Sequence, residues 1–405
     1  ADLLQQFERH AEGPRITKPK HIFLLFLESH AQCLFDPLYD KLNLMEGSKA
    51  FRSDPHTISM SNFLPGGMVS QPSIVSLMSG VFDTDMELNE KQAFWNGTLQ
   101  TSLPCQLRKL GYRTSFWYGG GLTWSSLDHY VPAVGFDRSF GGPDICGKDA
   151  PKTWLGVYDH LFLGEVAKRI EAENFDQPEF HFVYTTSNHG PYLLPFKEYG
   201  FDIDRLMPEM PEALRRDEKN WRRMAGAWYA DQAAIHFIDK MKELYPDSLF
   251  IVTGDHAAPV LPLDFDIVPR HEPNLRERFL TSFAMSHPEL SQDMFRQNNI
   301  GCHMNILPTL MELIAPKDFC YYSILPSLFE HMDHVVTPYC WMTENAIGSY
   351  REHIEQDLVV SAELLPFRHG HDQFTEEQKA WCELTGWYVR HPELLRDWHQ
   401  GQNQL

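Results

Sequence analysis

Three segments of this chain share one arrangement, in which an apolar run is closely followed by polar side chains that can bind a metal ion. Apolar runs at 21–27, 180–184 and 248–252 are closely followed by the metal-competent side chains of Glu28, His189 and the pair Asp255-His256. Runs that are apolar on both faces are typical of central strands in a parallel sheet covered by helices. The carboxyl ends of such strands meet at one edge, where α/β proteins bind ligands. We therefore expect these side chains to converge.

Helical patterns separate the strand-like segments, at about 102–110, 154–170, 221–244 and 302–314. This alternation predicts an α/β fold, an α/β/α sandwich with a mostly parallel central sheet. We expect residues 1–20 to form a lead-in segment and residues 21–330 the main domain. Residues 331–405, where the alternation stops, are expected to form a C-terminal extension packed on that domain.

Composition excludes several classes of protein. The formal net charge of −20 opposes binding to nucleic acid. The seven cysteines form no Cys-x-x-Cys pair, which argues against a zinc finger or a thioredoxin-like site. No run approaches the roughly 20 apolar residues of a membrane-spanning helix. The chain begins at Ala1 rather than Met, so a membrane anchor upstream of it is left open.

Ser70 is the candidate nucleophile. It follows Gly66-Gly67 and precedes Pro72, which favours the first turn of a helix. Backbone N–H groups and the helix dipole at such a terminus stabilise an anion. A serine hydroxyl also needs a base or a metal ion to become an effective nucleophile. From this segment alone, Ser70 is equally well explained as the N-cap of the helix.

Glu28, Asp255 and His256 are the candidate metal ligands. Two carboxylates and an imidazole, completed by the Ser70 oxygen, suit Mn²⁺, Zn²⁺ or Mg²⁺. Taken singly, Glu28 is explained as an acid at the end of a strand, and the Asp-His pair as a turn cap. Their shared position after buried strands favours the metal site.

The segment 70–80 resembles the nucleophile signature of sulfatases, which it matches at Ser70, Pro72, Ser73 and Gly80. Ile74 stands where that signature has arginine. Because the signature also directs conversion of the nucleophile to formylglycine, we expect Ser70 to stay serine. This departure favours phosphoryl transfer over sulfate ester cleavage.

Over residues 20–315 the order of motifs resembles the lipoteichoic acid synthase family. Those enzymes are membrane-anchored phosphoglycerol transferases with an extracytoplasmic sulfatase-like domain, related to phosphoethanolamine transferases. The matching motifs are Leu27-Glu28-Ser29, the Ser70 segment, Ser187-Asn188-His189 with Pro191-Tyr192, and Gly254-Asp255-His256.

The resemblance implies a ligand set and a setting. Glu28, Ser70, Asp255 and His256 would bind one divalent ion, with Mn²⁺ favoured and Zn²⁺, Mg²⁺ or Ca²⁺ as alternatives. His189 would lie near the substrate phosphate as an acid catalyst or a hydrogen-bond donor. The partners would be a lipid or small-molecule phosphodiester donor and a glycan or lipid hydroxyl acceptor. The location would be the extracytoplasmic face of the membrane or the periplasm.

The substrate pocket departs from the family pattern. We expect Tyr118, Trp124 and His189 to line it, but the family's tryptophan is followed two residues later by arginine, where this chain has Ser126. A hydroxyl cannot replace the double donor that arginine offers to a phosphate. Unless Arg270 or Arg276 compensates, the head group should differ from that of phosphatidylglycerol.

The leading hypothesis is a transferase that moves a phosphoglycerol-like or other phospho-alcohol group through a covalent Ser70 intermediate. One alternative is a hydrolase of phosphodiesters, phosphonates or sulfate esters, in which water resolves the intermediate. Another is a catalytically silent sensor that binds lipid head groups. Retention of all four ligands argues against the silent sensor.

Overall fold

The computed structural model describes residues 3–173, 175–257, 272–295 and 299–396. Its strands are β1 (Glu8–His10), β2 (His21–Leu27), β3 (Thr57–Ser59), β4 (Phe63–Leu64), β5 (Arg113–Tyr118), β6 (Arg138–Gly141), β7 (Glu179–Tyr184), β8 (Leu249–Gly254), β9 (Phe283–Ser286), β10 (Gly301–Cys302), β11 (Cys320–Tyr322), β12 (His334–Val336), β13 (Cys340–Thr343), β14 (Ala346–Ser349), β15 (Ile354–Asp357) and β16 (Arg368–His369). Its α-helices are α1 (Glu46–Ser53), α2 (Ser70–Ser79), α3 (Leu103–Lys109), α4 (Leu127–Ala133), α5 (Gly142–Cys146), α6 (Asp159–Ala172), α7 (Ile203–Leu206), α8 (Glu212–Arg216), α9 (Glu218–Leu244), α10 (Leu275–Phe279), α11 (Ile306–Ile314) and α12 (Thr375–Arg390). Within these residues, no helix is long and apolar enough to cross a bilayer.

The central sheet has the strand order β3-β9-β8-β2-β7-β5-β6. Strands β8, β2, β7, β5 and β6 are parallel, and β9 is antiparallel to both of its neighbours. The predicted central strand 21–27 lies in the middle, between β7 and β8. The ends of β2, β7 and β8 therefore meet at one edge of the sheet.

Both faces of the sheet are covered. In β2, Leu24 and Phe26 pack into one apolar cluster, whereas Phe23 and Leu25 pack into another on the opposite face. The first cluster includes residues of α2, α3, α4 and α11, and the second includes residues of α6 and α9. The predicted α/β/α sandwich with a mostly parallel sheet is confirmed.

Two predicted helices begin later than expected. The helix predicted from Trp154 begins at Asp159, because Val157 donates its backbone N–H to Gly119 O at the sheet edge, at 2.9 Å. The helix predicted from Cys302 begins at Ile306, because Gly301 and Cys302 pair with β4 as a short parallel strand. The helix predicted from 221 begins earlier, at Glu218, after the capping residue Asp217.

The C-terminal part of the described chain contains an antiparallel sheet in the order β12-β13-β14-β15-β16, followed by α12. Val335, Met342 and Tyr388 from this part belong to the same apolar cluster as one face of the central sheet. At the other end of the chain, β1 pairs with β11. The division into a lead-in segment, a main domain and an extension stays a prediction.

Asp36 and Arg276 form an ion pair inside the protein, with both residues at most 6% exposed. Arg276 donates through Nε to Asp36 Oδ2 at 3.0 Å and through Nη2 to Asp36 Oδ1 at 3.1 Å. It also donates to Asn62 Oδ1 and to Ser61 O. The pair joins α10 to the segment that follows β2.

We expect Asp36→Ala to lower the free energy of unfolding by about 3–5 kcal/mol, because it leaves the Arg276 charge buried without its carboxylate. Denaturant unfolding followed by circular dichroism measures this loss. Asp40→Ala is the control, since the Asp40 side chain is 58% exposed in its pair with Lys49; it should cost less than about 1 kcal/mol. Equal losses for the two variants would contradict the assignment.

Candidate active site

Ser70 is the first residue of α2, and Val69 rather than Ser70 occupies the N-cap position. The Ser70 hydroxyl contacts side chains rather than the backbone N–H groups of the first turn. Its Oγ donates to Glu28 Oε2 at 3.2 Å and lies 3.3 Å from His256 Nε2. The N-cap interpretation of Ser70 is therefore wrong for this structure.

Glycine is required just before Ser70, the candidate nucleophile, because the chain doubles back on its own helix. A Cβ atom at Gly67 would lie 2.6 Å from Ser73 N and 2.8 Å from Pro72 C, closer than real Cβ contacts. Pro72 lies in the first turn of α2, where its missing N–H leaves no hydrogen bond unmade. This close packing holds Ser70 at the helix N-terminus.

Glu28, Asp255 and His256 come together at the edge where β2 and β8 end. One ligand atom from each lies within 4.8 Å of the other two. His256 Nε2 is 3.6 Å from Glu28 Oε1 and 3.4 Å from Asp255 Oδ2. All three residues are at most 9% exposed. The structure thus brings the predicted ligands and Ser70 into one group.

The electrostatics of this group suit a cation. Burial and then the charge of Glu28 raise the pKa of Asp255 to about 7. Burial lowers the pKa of His256, but the charges of Asp255 and Glu28 outweigh it and bring that pKa to about 10. The two buried carboxylates therefore create a negative potential that favours a bound cation.

The tautomer of His256 also fits a metal ligand. Its Nδ1 lies 2.9 Å from Ala257 O, and because a carbonyl only accepts, Nδ1 carries the hydrogen. The neutral ring then has its lone pair on Nε2, the atom that faces Ser70 and the two carboxylates. A ring N–H donated to a backbone carbonyl is the usual arrangement of metal-binding histidines. The donor set of two carboxylates, one imidazole and one hydroxyl fits a divalent ion.

Asp255 is held by three donors. The Tyr184 hydroxyl donates to Oδ2 at 2.8 Å, and the backbone N–H groups of Ser29 and His256 donate to Oδ1 at 2.8 and 2.9 Å. Tyr184 is the last residue of β7, so the neighbouring strand supplies the hydroxyl that fixes this carboxylate. The sequence analysis assigned Tyr184 only to its strand. The signal was its place at the strand end that faces the site.

His303 is a second residue that the sequence analysis missed. Its Nε2 donates to Gly254 O at 3.0 Å, and its Nδ1 accepts from the backbone N–H of Gly66 at 3.1 Å. Burial lowers the pKa of His303 to about 3, which keeps the ring neutral. His303 thus ties the loop before Ser70 to the end of β8. The sequence analysis placed it inside the predicted helix 302–314 and assigned it no role, whereas it lies before the start of α11 at Ile306.

His189 lies half-buried on the loop after β7. Its Nδ1 donates to Gly190 O at 2.9 Å, and its ring meets the edge of Trp154 with centroids 5.0 Å apart. The neutral ring therefore has its lone pair on Nε2. Beneath this loop, buried Asp159 accepts the backbone N–H groups of Thr186 and Ser187 at 3.2 and 3.0 Å.

Tyr118 and Trp124, the predicted pocket residues, form an aromatic row with Tyr184. The ring centroids of Trp124 and Tyr118 are 5.6 Å apart, and those of Tyr118 and Tyr184 are 5.2 Å apart. Burial and the charges of Glu28 and Asp255 raise the pKa of Tyr118, so its hydroxyl stays protonated. The row leads from half-buried Trp124 to the tyrosine that holds Asp255.

The Trp124 loop is hydrogen-bonded to α2, the helix that begins at Ser70. Asn89 Nδ2 donates to Ser125 O at 2.7 Å, and Gln71 Nε2 donates to Asn89 Oδ1. Gln71 directly follows Ser70, so two hydrogen bonds connect the loop to the residue next to the candidate nucleophile. Ser126 donates to Glu90 Oε2 at 2.6 Å.

Arg270 and Arg276 were considered as replacements for the arginine that the family has at position 126. Arg276 is buried in its pair with Asp36 and with Asn62, so its guanidinium serves the fold. Arg270 lies outside the described residues.

Comparison with known proteins agrees with this fold. The protein matches the crystal structure of the lipoteichoic acid synthase LtaP from Listeria monocytogenes with a TM-score of 0.66 and 16% identity, over 95% of this chain and 94% of that one. It matches an alkaline phosphatase superfamily protein from Vibrio parahaemolyticus with a TM-score of 0.68 and 17% identity, over 98% and 93%. It also matches the C-terminal periplasmic domain of EcEptC from Escherichia coli, with a TM-score of 0.57 and 14% identity, over 84% and 96%. These likenesses show the fold.

The match to the sulfatase family model identifies an enzyme of the alkaline phosphatase/sulfatase superfamily, whose members depend on metal ions. Residues 44–315 match the sulfatase family model, and the chain belongs to that family. The matched range contains Ser70, Asp255 and His256, whereas Glu28 precedes it. Over 152 residues the chain is 28% identical to the lipoteichoic acid synthase-like protein YvgJ of Bacillus subtilis, a match covering 37% of this chain and 23% of YvgJ. The match thus spans less than a quarter of that relative.

We expect Tyr184→Phe to weaken Mn²⁺ binding by roughly 10–100-fold, because Asp255 loses the hydroxyl that orients it. Titration of Mn²⁺ against a competing chelator measures the affinity. Tyr112→Phe is the matched control, since Tyr112 is equally buried but donates to Pro19 O, at 2.6 Å. Equal affinity in Tyr184→Phe and the wild-type protein would show that this hydrogen bond does not tune the site.

Proposed function

We propose that this protein is a metal-dependent transferase that moves a phosphoglycerol-like or other phospho-alcohol group through a covalent intermediate on Ser70. The observation that carries this proposal is the setting of the Ser70 hydroxyl. It lies at a helix N-terminus, within 3.3 Å of both Glu28 and His256. A helix N-terminus also stabilises the anionic oxygens of a phosphate ester.

The proposed metal site consists of Glu28, Ser70, Asp255 and His256, with one ion and Mn²⁺ favoured. A bound divalent ion would lower the pKa of the serine hydroxyl and neutralise charge that develops on the phosphoryl oxygens. Asp255 and Glu28 supply the compensating negative charge, and Tyr184 and Ser29 keep the Asp255 carboxylate in place.

The proposed reaction has two displacement steps. Ser70 Oγ attacks phosphorus, and the bond to the leaving alcohol breaks. The Ser70 hydroxyl loses one proton, and the leaving alkoxide takes up one proton. An acceptor hydroxyl then attacks the phosphoserine-type ester, loses its proton and restores the Ser70 hydroxyl. His189 holds its hydrogen on Nδ1, so its Nε2 is the atom proposed to exchange the proton with the leaving or entering alcohol.

Donor and acceptor are proposed by chemical class. The donor is a lipid or small-molecule phosphodiester, and the acceptor is a hydroxyl of a glycan or lipid. Support comes from the likeness to LtaP and to the periplasmic domain of EcEptC. The same likeness supports a location at the extracytoplasmic face of the membrane or in the periplasm.

We expect Ser70→Ala to reduce turnover by roughly 10⁴-fold or more, because the attacking oxygen is removed. Metal content should largely persist, since the three other ligands remain. Turnover of a phosphodiester and mass spectrometry of the Ser70 peptide after incubation with the donor are the measurements. The wild-type peptide should carry a phospho-adduct.

The exposed Ser53→Ala variant is the control and should keep full activity. Near-normal turnover by Ser70→Ala would place the nucleophile elsewhere, for example in a water molecule. Product that forms at the same rate with and without an alcohol acceptor would identify a hydrolase instead of a transferase.

The second functional prediction concerns specificity. Ser126 occupies the expected arginine position and is bonded to Glu90, so the pocket lacks a double phosphate donor there. The loss of one charge-assisted pair weakens binding by about 1.5–3 kcal/mol, or roughly tenfold to more than a hundredfold. We therefore expect phosphatidylglycerol to be a poor donor compared with other phospholipids or phosphodiesters, as measured by kcat/KM across a donor series.

Trp124→Ala should raise KM for the preferred donor more than it lowers kcat, because the ring is proposed to cover the alcohol moiety. Trp387→Ala, which changes a half-buried tryptophan of α12, is the matched control. Efficient and selective use of phosphatidylglycerol would contradict the specificity argument while leaving the role of Ser70 intact.

A further inference from the structure

The two-stranded ribbon of β1 and β11 carries a second group of metal-competent side chains. Glu8 and His10 lie on β1, and Cys320 lies on β11 directly opposite His10. One ligand atom from each residue lies within 4.8 Å of the other two. We propose that Glu8, His10 and Cys320 form a second metal site, selective for Zn²⁺ and similar thiophilic ions, which clamps the N-terminal strand to β11.

The register of the ribbon brings these side chains to their closest approach. Backbone hydrogen bonds join Ser323 N to Phe7 O and Ala11 N to Phe319 O, each at 3.0 Å. Hydrogen-bonded pairs alternate with non-hydrogen-bonded pairs along an antiparallel ladder, so His10 and Cys320 form a non-hydrogen-bonded pair. In such pairs the Cα atoms are only about 4.5 Å apart. The thiol and the imidazole are neighbours because of the backbone itself.

Because side chains alternate between the two faces of a strand, the three proposed ligands lie on the face away from the protein interior. Arg9 and Tyr321 form the intervening pair. Tyr321 is 1% exposed and donates to buried Glu312 at 2.8 Å, and Arg9 donates to Ser323 O at 3.2 Å. The neighbouring positions Glu8, His10 and Cys320 therefore share the outer face, where an ion can reach them.

Two of the donors are already in contact. Glu8 Oε1 lies 3.0 Å from His10 Nε2, and their side chains are 37% and 55% exposed. Cys320 is a half-buried free cysteine. A cation would take the place of the proton that the carboxylate and the imidazole share, and it would gain the thiolate as a third ligand. A water molecule would complete the tetrahedral set that Zn²⁺ prefers.

The donor types separate this site from the proposed catalytic site. A thiolate, an imidazole and a carboxylate favour Zn²⁺ or Co²⁺ over Mn²⁺ and Mg²⁺, because sulfur is a soft ligand. The group of Glu28, Ser70, Asp255 and His256 offers only oxygen and nitrogen. A thiolate and a carboxylate also balance the charge of a divalent ion, on a chain whose net charge is −20.

A third group of metal-competent residues, His21, Glu179 and His181, does not offer the same chemistry. Trp117 Nε1 donates to His181 Nδ1 at 3.1 Å. Because an indole nitrogen only donates, the hydrogen of the neutral His181 ring is on Nε2, the atom that faces Glu179. That nitrogen is blocked as a ligand, and Arg113 donates to the same carboxylate at 2.7 Å.

The proposed ion would join positions that are far apart in sequence, His10 and Cys320. An ion that binds only to the folded state shifts the folding equilibrium in favour of that state. The ribbon leads through β1 toward β2, so a clamp here fixes the entry of the chain into the central sheet.

The test is to titrate metal-free full-length protein with Zn²⁺ and, separately, with Co²⁺. We expect a thiolate-to-cobalt charge-transfer absorption in the near ultraviolet, and an increase in melting temperature with Zn²⁺. Cys320→Ser and His10→Ala should remove the absorption, lower the bound Zn²⁺ by one equivalent, and weaken binding at this site by more than about tenfold. Cys382→Ser, which alters a half-buried cysteine outside this group, should change none of these readouts.

The result does not depend on the proposed function, because the described catalytic group contains no cysteine and cannot give the thiolate signal. In Asp255→Asn the charge-transfer absorption should therefore persist while the catalytic ion is weakened. A wild-type protein without that absorption, or one whose absorption survives in Cys320→Ser, would overturn the proposal of a zinc site on the ribbon.

Discussion

The organisation of this protein depends on two buried carboxylates that face one another across the edge of a parallel sheet. Glu28 and Asp255 are 2% and 0% exposed, and each immediately follows a central strand. Their charges cannot be screened by water, so the surroundings must stabilise them. Three donors hold Asp255, and the Ser70 hydroxyl donates to Glu28. The group still suits a cation, and Ser70, the proposed nucleophile, is one of its members.

The residues around this group fix the positions of its members. His303 links the glycine turn before Ser70 to the end of β8, and Ser73 donates to Asp255 O from within α2. These contacts use neutral groups, since burial keeps His303 uncharged. A charged residue in the same place would compete with the proposed ion or repel it. Neutral donors fix the geometry and leave the electrostatics to the two carboxylates.

The parts of the protein that follow a local sequence pattern could be predicted from the sequence. Apolar runs with no polar face predicted the central strands, and the polar residues after β2 and β8 predicted that Glu28, Asp255 and His256 meet. The convergence of His189 with that group stays a prediction. Contacts between distant segments followed no such pattern. The hydroxyl of Tyr184 and the ring of His303 reach the site through tertiary packing, and the pairing of β1 with β11 joins segments more than 300 residues apart. The later start of α6 has the same origin, because Val157 pairs with the sheet edge before the helical pattern takes effect.

Tyr184 connects the proposed metal site to the proposed substrate pocket. Tyr184 holds Asp255 with its hydroxyl and packs its ring against Tyr118, which packs in turn against Trp124. A change at Trp124 is thus transmitted through two aromatic contacts to a proposed metal ligand. The Trp124 loop is also bonded through Asn89 to Gln71, next to Ser70. The Trp124 loop is therefore linked by one route to Asp255 and by another to the residue that follows Ser70. The Ser126 side chain takes part in neither route, because its hydroxyl donates to Glu90 Oε2 at 2.6 Å.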